Sequence, residues 1–144
     1  MIVRRADVAD RPVWAAMLAE LHPEQSASEF EAEIAALPQD FVCFLAFTET
    51  GEPAGMIDAM VRNYAEGAPG FRAAYVEDLW VDPRHRRSGV ASRLLEAVEN
   101  WAREQHLDWL GSDTTLDNRM SQAWHEAAGF GEIGRLVVFG KLLR

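Results

Sequence analysis

The stretch from Tyr75 to Trp101, YVEDLWVDPRHRRSGVASRLLEAVENW, leaves few choices for the fold around it. Tyr75 to Val81 is a short apolar-rich run interrupted by Glu77 and Asp78. Asp82-Pro83 stops a strand there, because proline has no N–H to offer a ladder. A basic turn follows, Arg84-His85-Arg86-Arg87, and then Ser88-Gly89-Val90-Ala91. Beyond it Ala91, Leu94, Leu95, Val98, Trp101 and Ala102 recur at the spacing of a helix with one buried face. The unit reads strand, tight basic turn, helix. A helix start presents unpaired N–H groups and the positive end of the macrodipole, and glycine lets a ligand come close to the backbone. The N–H groups of Arg87, Ser88, Gly89, Val90 and Ala91 therefore form a candidate pyrophosphate cradle, with Arg84, Arg86 and Arg87 nearby to neutralise it. The alternative is a solvated basic helix start with a small residue for packing.

On either side the pattern is that of a mixed α/β chain. Ile2 to Arg5 reads as a first strand. Asp10 is placed to cap a helix with Pro12 in its first turn and Val13, Trp14, Met17, Leu18 and Leu21 on its apolar face. His22-Pro23 ends it. A second helix is expected from about Ser28, with Glu31 set for a capping box, Phe30, Ile34 and Leu37 as its stripe, and Pro38 to close it. Phe41–Thr48 and Ala54–Asn63 read as a hairpin, with Met56, Asp58, Met60 and Arg62 on one face of its second strand. A turn-rich loop from Tyr64 to Gly70 leads into the central strand, Arg72 to Val81. After the long helix, Asp108–Asp113 reads as a strand parallel to the central one, since strand–helix–strand crossovers join parallel neighbours. Asp117-Asn118 opens another helix that Gly129 terminates, and Leu136–Phe139 reads as a last strand. The expected order is β-α-α-β-β-β-α-β-α-β in a single domain, 1–144.

Charge narrows the function. The 144 residues hold 23 acids against 14 Lys and Arg, a formal net charge of −9. A nucleic-acid binder needs a basic footprint, so that class is set aside. An acidic field suits a cationic substrate, or serves solubility alone. No run approaches the ~20 apolar residues of a membrane span, and MIVRRADVAD lacks the apolar core of a signal peptide; a cytoplasmic protein with no membrane partner is expected. The lone Cys43 lies in an apolar run, where it is expected to be packed and inert.

Arg86-x-x-Gly89-x-Ala91 after a strand resembles the Q/R-x-x-G-x-G/A acetyl-CoA signature of the GNAT N-acetyltransferase superfamily. It is not the nucleotide P-loop, for no Gly-Lys-Ser/Thr follows, nor a dinucleotide fingerprint, for one glycine is present. Val81-Asp82-Pro83 before it, the long helix after it and Trp124-His125-Glu126-Ala127-Ala128-Gly129-Phe130 near the C-terminus support the resemblance, which covers essentially the whole chain. Within the superfamily the chain is most similar to the aminoglycoside 6'-N-acetyltransferases, through Tyr75-Val76-Glu77, His85 to Ala91, Ser112-Asp113-x-x-Leu116-Asp117-Asn118 and His125 to Phe130.

The resemblance implies a mixed sheet with a splayed parallel strand pair and about four helices. It implies acetyl-CoA as co-substrate, held by Arg86, Arg87, Ser88, Gly89, Val90 and Ala91, by the backbone of Leu79, Trp80 and Val81, and by Asn118. It places Glu77 and Asp113 against the amino sugar, with Tyr64 lining the pocket and His22 where relatives carry a tryptophan. A family acid after the Gly-Phe turn aligns near Gly134, where Glu132 could substitute by a shift of register. Glu77 or Asp113 is the candidate base for the substrate ammonium. His125 stands where many members carry a tyrosine acting as acid towards the departing sulfur; it could donate that proton or only orient the coenzyme. No metal-ligand pattern is present, and no His/Asp set accompanies Cys43 as a nucleophile would require. The expected reaction is direct transfer in a ternary complex, and the apolar last strand could pair with a second copy of the chain. Two other readings stay open: acetylation of a different amine (a polyamine, an amino acid or a protein N-terminus), and a non-catalytic module that binds acetyl-CoA.

Overall fold

The computed structural model describes residues 1–144, which divide into two compact units, Met1–Asp113 and Thr114–Arg144. The first unit is a five-stranded sheet in the order β1 (Ile2–Arg5), β2 (Phe41–Phe47), β3 (Pro53–Arg62), β4 (Ala73–Val81), β5 (Leu110–Gly111). Neighbours are antiparallel except β4 and β5, which run parallel. The connection between these two is α3 (Val90–Glu104), the crossover that the spacing predicts. Helices α1 (Arg11–Leu21) and α2 (Ala27–Ala35) lie between β1 and β2 in the chain.

Each face of the sheet has its own cover. Trp14, Met17 and Leu18 of α1 and Phe30 and Ile34 of α2 bury against Cys43, Leu45 and Met56. On α3 the periodic residues Leu94, Leu95, Val98, Trp101 and Ala102 are buried. At roughly 1.5–3 kcal/mol for each large apolar side chain removed from water, these two seams supply most of what holds the unit together.

Two helix caps differ from the sequence expectation. Asp10 makes no cap on α1; its carboxylate takes Arg4 Nη1 and Nη2 at 2.7 and 2.9 Å and the Asp7 N–H at 2.9 Å. A guanidinium offering two parallel N–H groups outcompetes a single backbone donor. Asp7 instead caps a short 3-10 turn, Val8–Asp10. The second helix is capped by Ser26, whose Oγ accepts the Glu29 N–H at 3.1 Å and donates to Glu29 Oε1 at 3.2 Å. The N-cap is therefore Ser26, two residues earlier than the expected Ser28, and Glu31 takes no part in it.

The second unit holds α4 (Arg119–Ala127), capped by the Asn118 side chain on the Ser121 N–H. Gly129, at φ +96°, closes it with the Phe130 N–H bonded to His125 O at 2.9 Å, as the sequence predicts. The expected last strand is not formed: Leu136–Phe139 joins no ladder, and Val138 and Phe139 are 88% and 89% exposed. β-branched and aromatic residues favour a strand only when a neighbour supplies hydrogen bonds and a packing face. A unit this short cannot build that face alone.

Candidate active site

The site grows from one irregularity in β4. Asp58 pairs with Asp78 and Ala59 with Val76, so Glu77 is an extra residue with no partner on β3. A strict alternation would send Glu77 and Asp78 to opposite faces. A bulge breaks that alternation and re-aims the side chains on either side of it. Tyr75 lies opposite Met60 and Asp78 opposite Asp58, so both share the face of the even-numbered β3 residues, Asp58, Met60 and Arg62. Glu77 joins them through Arg62, whose Nη2 reaches its two carboxylate oxygens at 2.7 and 2.6 Å.

The row continues onto β5. The Arg62 guanidinium sits 3.6 Å from the Tyr75 ring centroid, and the Tyr75 hydroxyl donates to Asp113 Oδ2 at 2.7 Å. Burial and then the Asp113 bond hold the Tyr75 phenol above its ordinary range, so it stays a donor. Gly111 makes room for this ring: a Cβ there would stand 2.7 Å from Tyr75 Cδ2. Glu77 and Asp113, the two sugar-contacting acids expected from the sequence, are thus joined through Arg62 and Tyr75. Neither linking residue was singled out from the sequence.

At the other end of the row, His22 follows the last turn of α1 and its Nε2 lies 2.7 Å from Asp78 Oδ1. Its Nδ1 is 3.7 Å from Glu24. Tyr64 begins the loop after β3 and is 69% exposed. A separate cleft lined by Pro69, Phe71, Arg72, His106 and Trp109 lies at the amino-terminal ends of β4 and β5. It holds none of the expected site residues.

Beside the acids, β4 and β5 part. They pair only at Ala74↔Leu110 and Tyr75↔Gly111, and β4 then runs on to Val81 without a ladder partner on that side. Backbone groups of Leu79, Trp80 and Val81 that face away from β3 line the opening. The turn after β4 leads to α3 through Arg87 at φ +60° and Gly89 at φ +83°. No side chain caps the α3 start, and a Cβ on Gly89 would meet nothing within 4 Å, so its first-turn N–H groups suit an anion. Arg86 Nε donates to Val81 O at 3.0 Å, and the Ser88 hydroxyl donates to His85 O, which fixes the turn. Arg84 departs from expectation: Glu52 and Asp82 hold it at 2.7 and 2.8 Å, so its charge is already matched. The chemistry of this opening and turn fits a thioester carbonyl and a pyrophosphate. Arg86, Arg87, Ser88, Gly89, Val90 and Ala91 are the residues that would hold the latter.

In the second unit, His125 Nδ1 lies 2.7 Å from Ser121 O. A carbonyl only accepts, so Nδ1 carries the hydrogen and a neutral ring has Nε2 as an acceptor. Trp124 and Phe130 stand edge-on to the ring, at centroid distances of 5.0 and 5.2 Å. Asn118 Oδ1 accepts the Ser121 N–H in the α4 cap, and its amide nitrogen is the donor it would bring to the expected coenzyme contact. Glu132 pairs with Arg135 at 2.7 Å. Cys43 is buried with its thiol pushed up, by burial first and then by Asp58, and it is no thiolate nucleophile.

Comparison with known proteins agrees with this arrangement. Residues 11–130 match the Acetyltransferase (GNAT) family. An aminoglycoside N(6')-acetyltransferase type 1 of Klebsiella aerogenes is 34% identical over 147 residues, covering 99% of this chain and 97% of the relative. The crystal structure of an aminoglycoside antibiotic 6'-N-acetyltransferase from Acinetobacter baumannii superposes with a TM-score of 0.90 at 31% identity, over 99% of each chain. AAC(6')-Iy in complex with the bisubstrate analogue CoA-S-monomethyl-acetylneamine gives 0.92 at 26%, over 99% of this chain and 98% of that one. The bulged central strand, the splayed parallel pair and the uncapped helix after the basic turn are thus those of an acetyltransferase, and the chain belongs to the GNAT family.

Proposed function

We propose that this chain transfers the acetyl group of acetyl-CoA to the 6'-amine of an aminoglycoside. The observation that carries the reading is the row of acids on one face of β3, β4 and β5, beside the open end of the parallel pair. Asp78, Glu77 and Asp113 lie along it, and Arg62, bound to Glu77, is the one guanidinium among them. That leaves a surplus of negative charge for a substrate with several ammonium groups. The similarity to named aminoglycoside acetyltransferases over nearly the whole chain supports the same substrate class.

Acetyl-CoA supplies the activated acetyl thioester. For attack on it the substrate ammonium first gives up a proton, which Glu77 or Asp113 accepts directly or through water. Backbone N–H groups among Leu79, Trp80 and Val81 stabilise the oxyanion that forms as the N–C bond is made. When the C–S bond breaks, the attacking nitrogen sheds its second proton to solvent and the thiolate takes one up, for which His125 in its imidazolium form is the candidate donor. His22 and Tyr64 contact the sugar rim.

The family match runs across both compact units, which supports reading 1–144 as one functional domain. The exposed apolar stretch Leu136, Val137, Val138, Phe139, Leu142 and Leu143 suits a homodimer in which a second copy covers it. Use of acetyl-CoA, an intracellular metabolite, supports a cytoplasmic location. The test is thiol release from acetyl-CoA with kanamycin, which has a 6'-amine, beside lividomycin, which has a 6'-hydroxyl. Release with kanamycin alone supports the proposal. Release with neither, or turnover of a polyamine or peptide N-terminus instead, rejects it.

A further inference from the structure

Asp58 is the buried charge-bearing group that the reaction above does not use. It is 1% exposed in the middle of β3. Trp14 Nε1 donates to its Oδ2 at 3.2 Å, while Oδ1 is buried with no donor. Directly across the ladder, at the spacing of a cross-strand pair, is Asp78. Two carboxylates cannot both stay charged at that separation in a dry setting, and one proton between them satisfies the orphan oxygen.

The surroundings decide which acid holds the proton. Around Asp58 are Trp14 and, beyond Asp78, His22 from α1; Cys43, opposite on β2; and Asp78 itself on β4, with Glu77 already matched by Arg62. Asp10 is matched by Arg4. No cation touches Asp58, whereas Asp78 has His22 at 2.7 Å and a partly exposed side chain. Burial first, and the Asp78 charge second, push the Asp58 carboxyl well above the usual carboxylate range.

We infer that Asp58 is a positioning residue for the amino-sugar site: a neutral acid that keeps its proton, donates a hydrogen bond through it to the Asp78 carboxylate, and through Asp78 holds His22 at the rim. The inference rests on the aminoglycoside reading only in its last step, the place of His22 beside the sugar. The chain Trp14 → Asp58 → Asp78 ← His22 then has a donor and an acceptor at every link. Asn at position 58 reproduces this polarity, since its amide donates to Asp78 and its oxygen accepts from Trp14. Ala reproduces neither.

The test has one arm that needs no substrate. Infrared difference spectra of the whole protein at neutral pH should show a carboxylic-acid C=O band in wild type that Asp58→Asn removes. Kinetically, Asp58→Ala should raise KM for kanamycin roughly tenfold, the scale of one charge-assisted hydrogen bond, with KM for acetyl-CoA unmoved. Asp58→Asn should restore most of that loss. A band that survives in Asp58→Asn overturns the inference whatever the substrate proves to be. So does an Asp58→Asn variant as impaired as Asp58→Ala, or equal losses for both substrates. If Asp58→Ala does not fold, the infrared arm and the Asn variant still decide it. Loss of the band with no kanamycin turnover in wild type would retain the protonated Asp58, reject the aminoglycoside reading, and overturn the positioning role.

Discussion

Replacing Glu77 by glutamine removes one charge from the site with little change of shape. The bulge is set by the pairing of Asp58 with Asp78 and Ala59 with Val76, so it should persist in the variant. A carboxylate has about four lone-pair sites, and Arg62 Nη2 approaches both oxygens from one nitrogen, at 2.7 and 2.6 Å, which leaves room for an ammonium. An ammonium ~4 Å from a carboxylate gains about 4 kcal/mol at an effective dielectric of ~20 and about 1 kcal/mol in bulk water. The Glu77 side chain is 18% exposed, between these limits, and a net charge-assisted hydrogen bond is worth about 1.5–3 kcal/mol. At 1.36 kcal/mol per tenfold, Glu77→Gln should lower kcat/KM for kanamycin by roughly 10- to 160-fold. Arg62 is 38% exposed, so water takes over much of its lost partner, and the stability cost should be about 1 kcal/mol or less. The assay is steady-state thiol release, varying each substrate with the other saturating, beside a urea unfolding curve. The acetyl-CoA KM should not move. An unchanged kcat/KM for kanamycin, or a loss shared equally by both substrates, refutes the placing of Glu77 against the amino sugar.

Three further predictions follow from the same geometry. Gly89→Ala puts a side chain at φ +83°, which costs about 1–2 kcal/mol, and it should raise KM for acetyl-CoA while leaving that for kanamycin alone; a selective kanamycin defect would contradict the cradle. If His125 protonates the departing sulfur, His125→Ala should lower kcat by roughly 10²–10⁴; a loss below tenfold would reduce His125 to an orienting role. Asp10 is held near a pKa of about 2, chiefly by its bond to Arg4, below its unfolded value of 3.8. Its contribution is therefore present above pH ~4 and lost as pH falls towards 2, so Asp10→Asn should flatten the acid limb of the urea midpoint, and an unaltered limb would rule the pair out as its source.

The strand–turn–helix from Tyr75 to Trp101 was legible because each step has a local cause: Pro83 ends β4, Gly89 takes a left-handed backbone, and the i, i+3, i+4 stripe fixes the α3 face. Its neighbours were legible for the same reason. The site was half legible. Glu77, Asp113 and His22 could be named, yet the bulge that brings Glu77 and Asp78 onto one face is a matter of register, which no local pattern records. Arg62 was visible only as a strand residue and Tyr75 only as the start of the Tyr75-Val76-Glu77 match; the vacancy at Gly111 that Tyr75 fills shows only in three dimensions. Asp58 was read only as one of a strand face with Met56, Met60 and Arg62, and a buried acid becomes meaningful only once its cross-strand partner is known. Leu136–Phe139 shows the opposite failure, a good strand sequence that joins no ladder.

The most direct test of the central claim is the position of the new acetyl group. Kanamycin and acetyl-CoA incubated with the protein should yield one product, whose two-dimensional NMR spectrum places the amide on the 6'-nitrogen. An acetyl group on any other nitrogen, or no product although acetyl-CoA binds, would contradict the account.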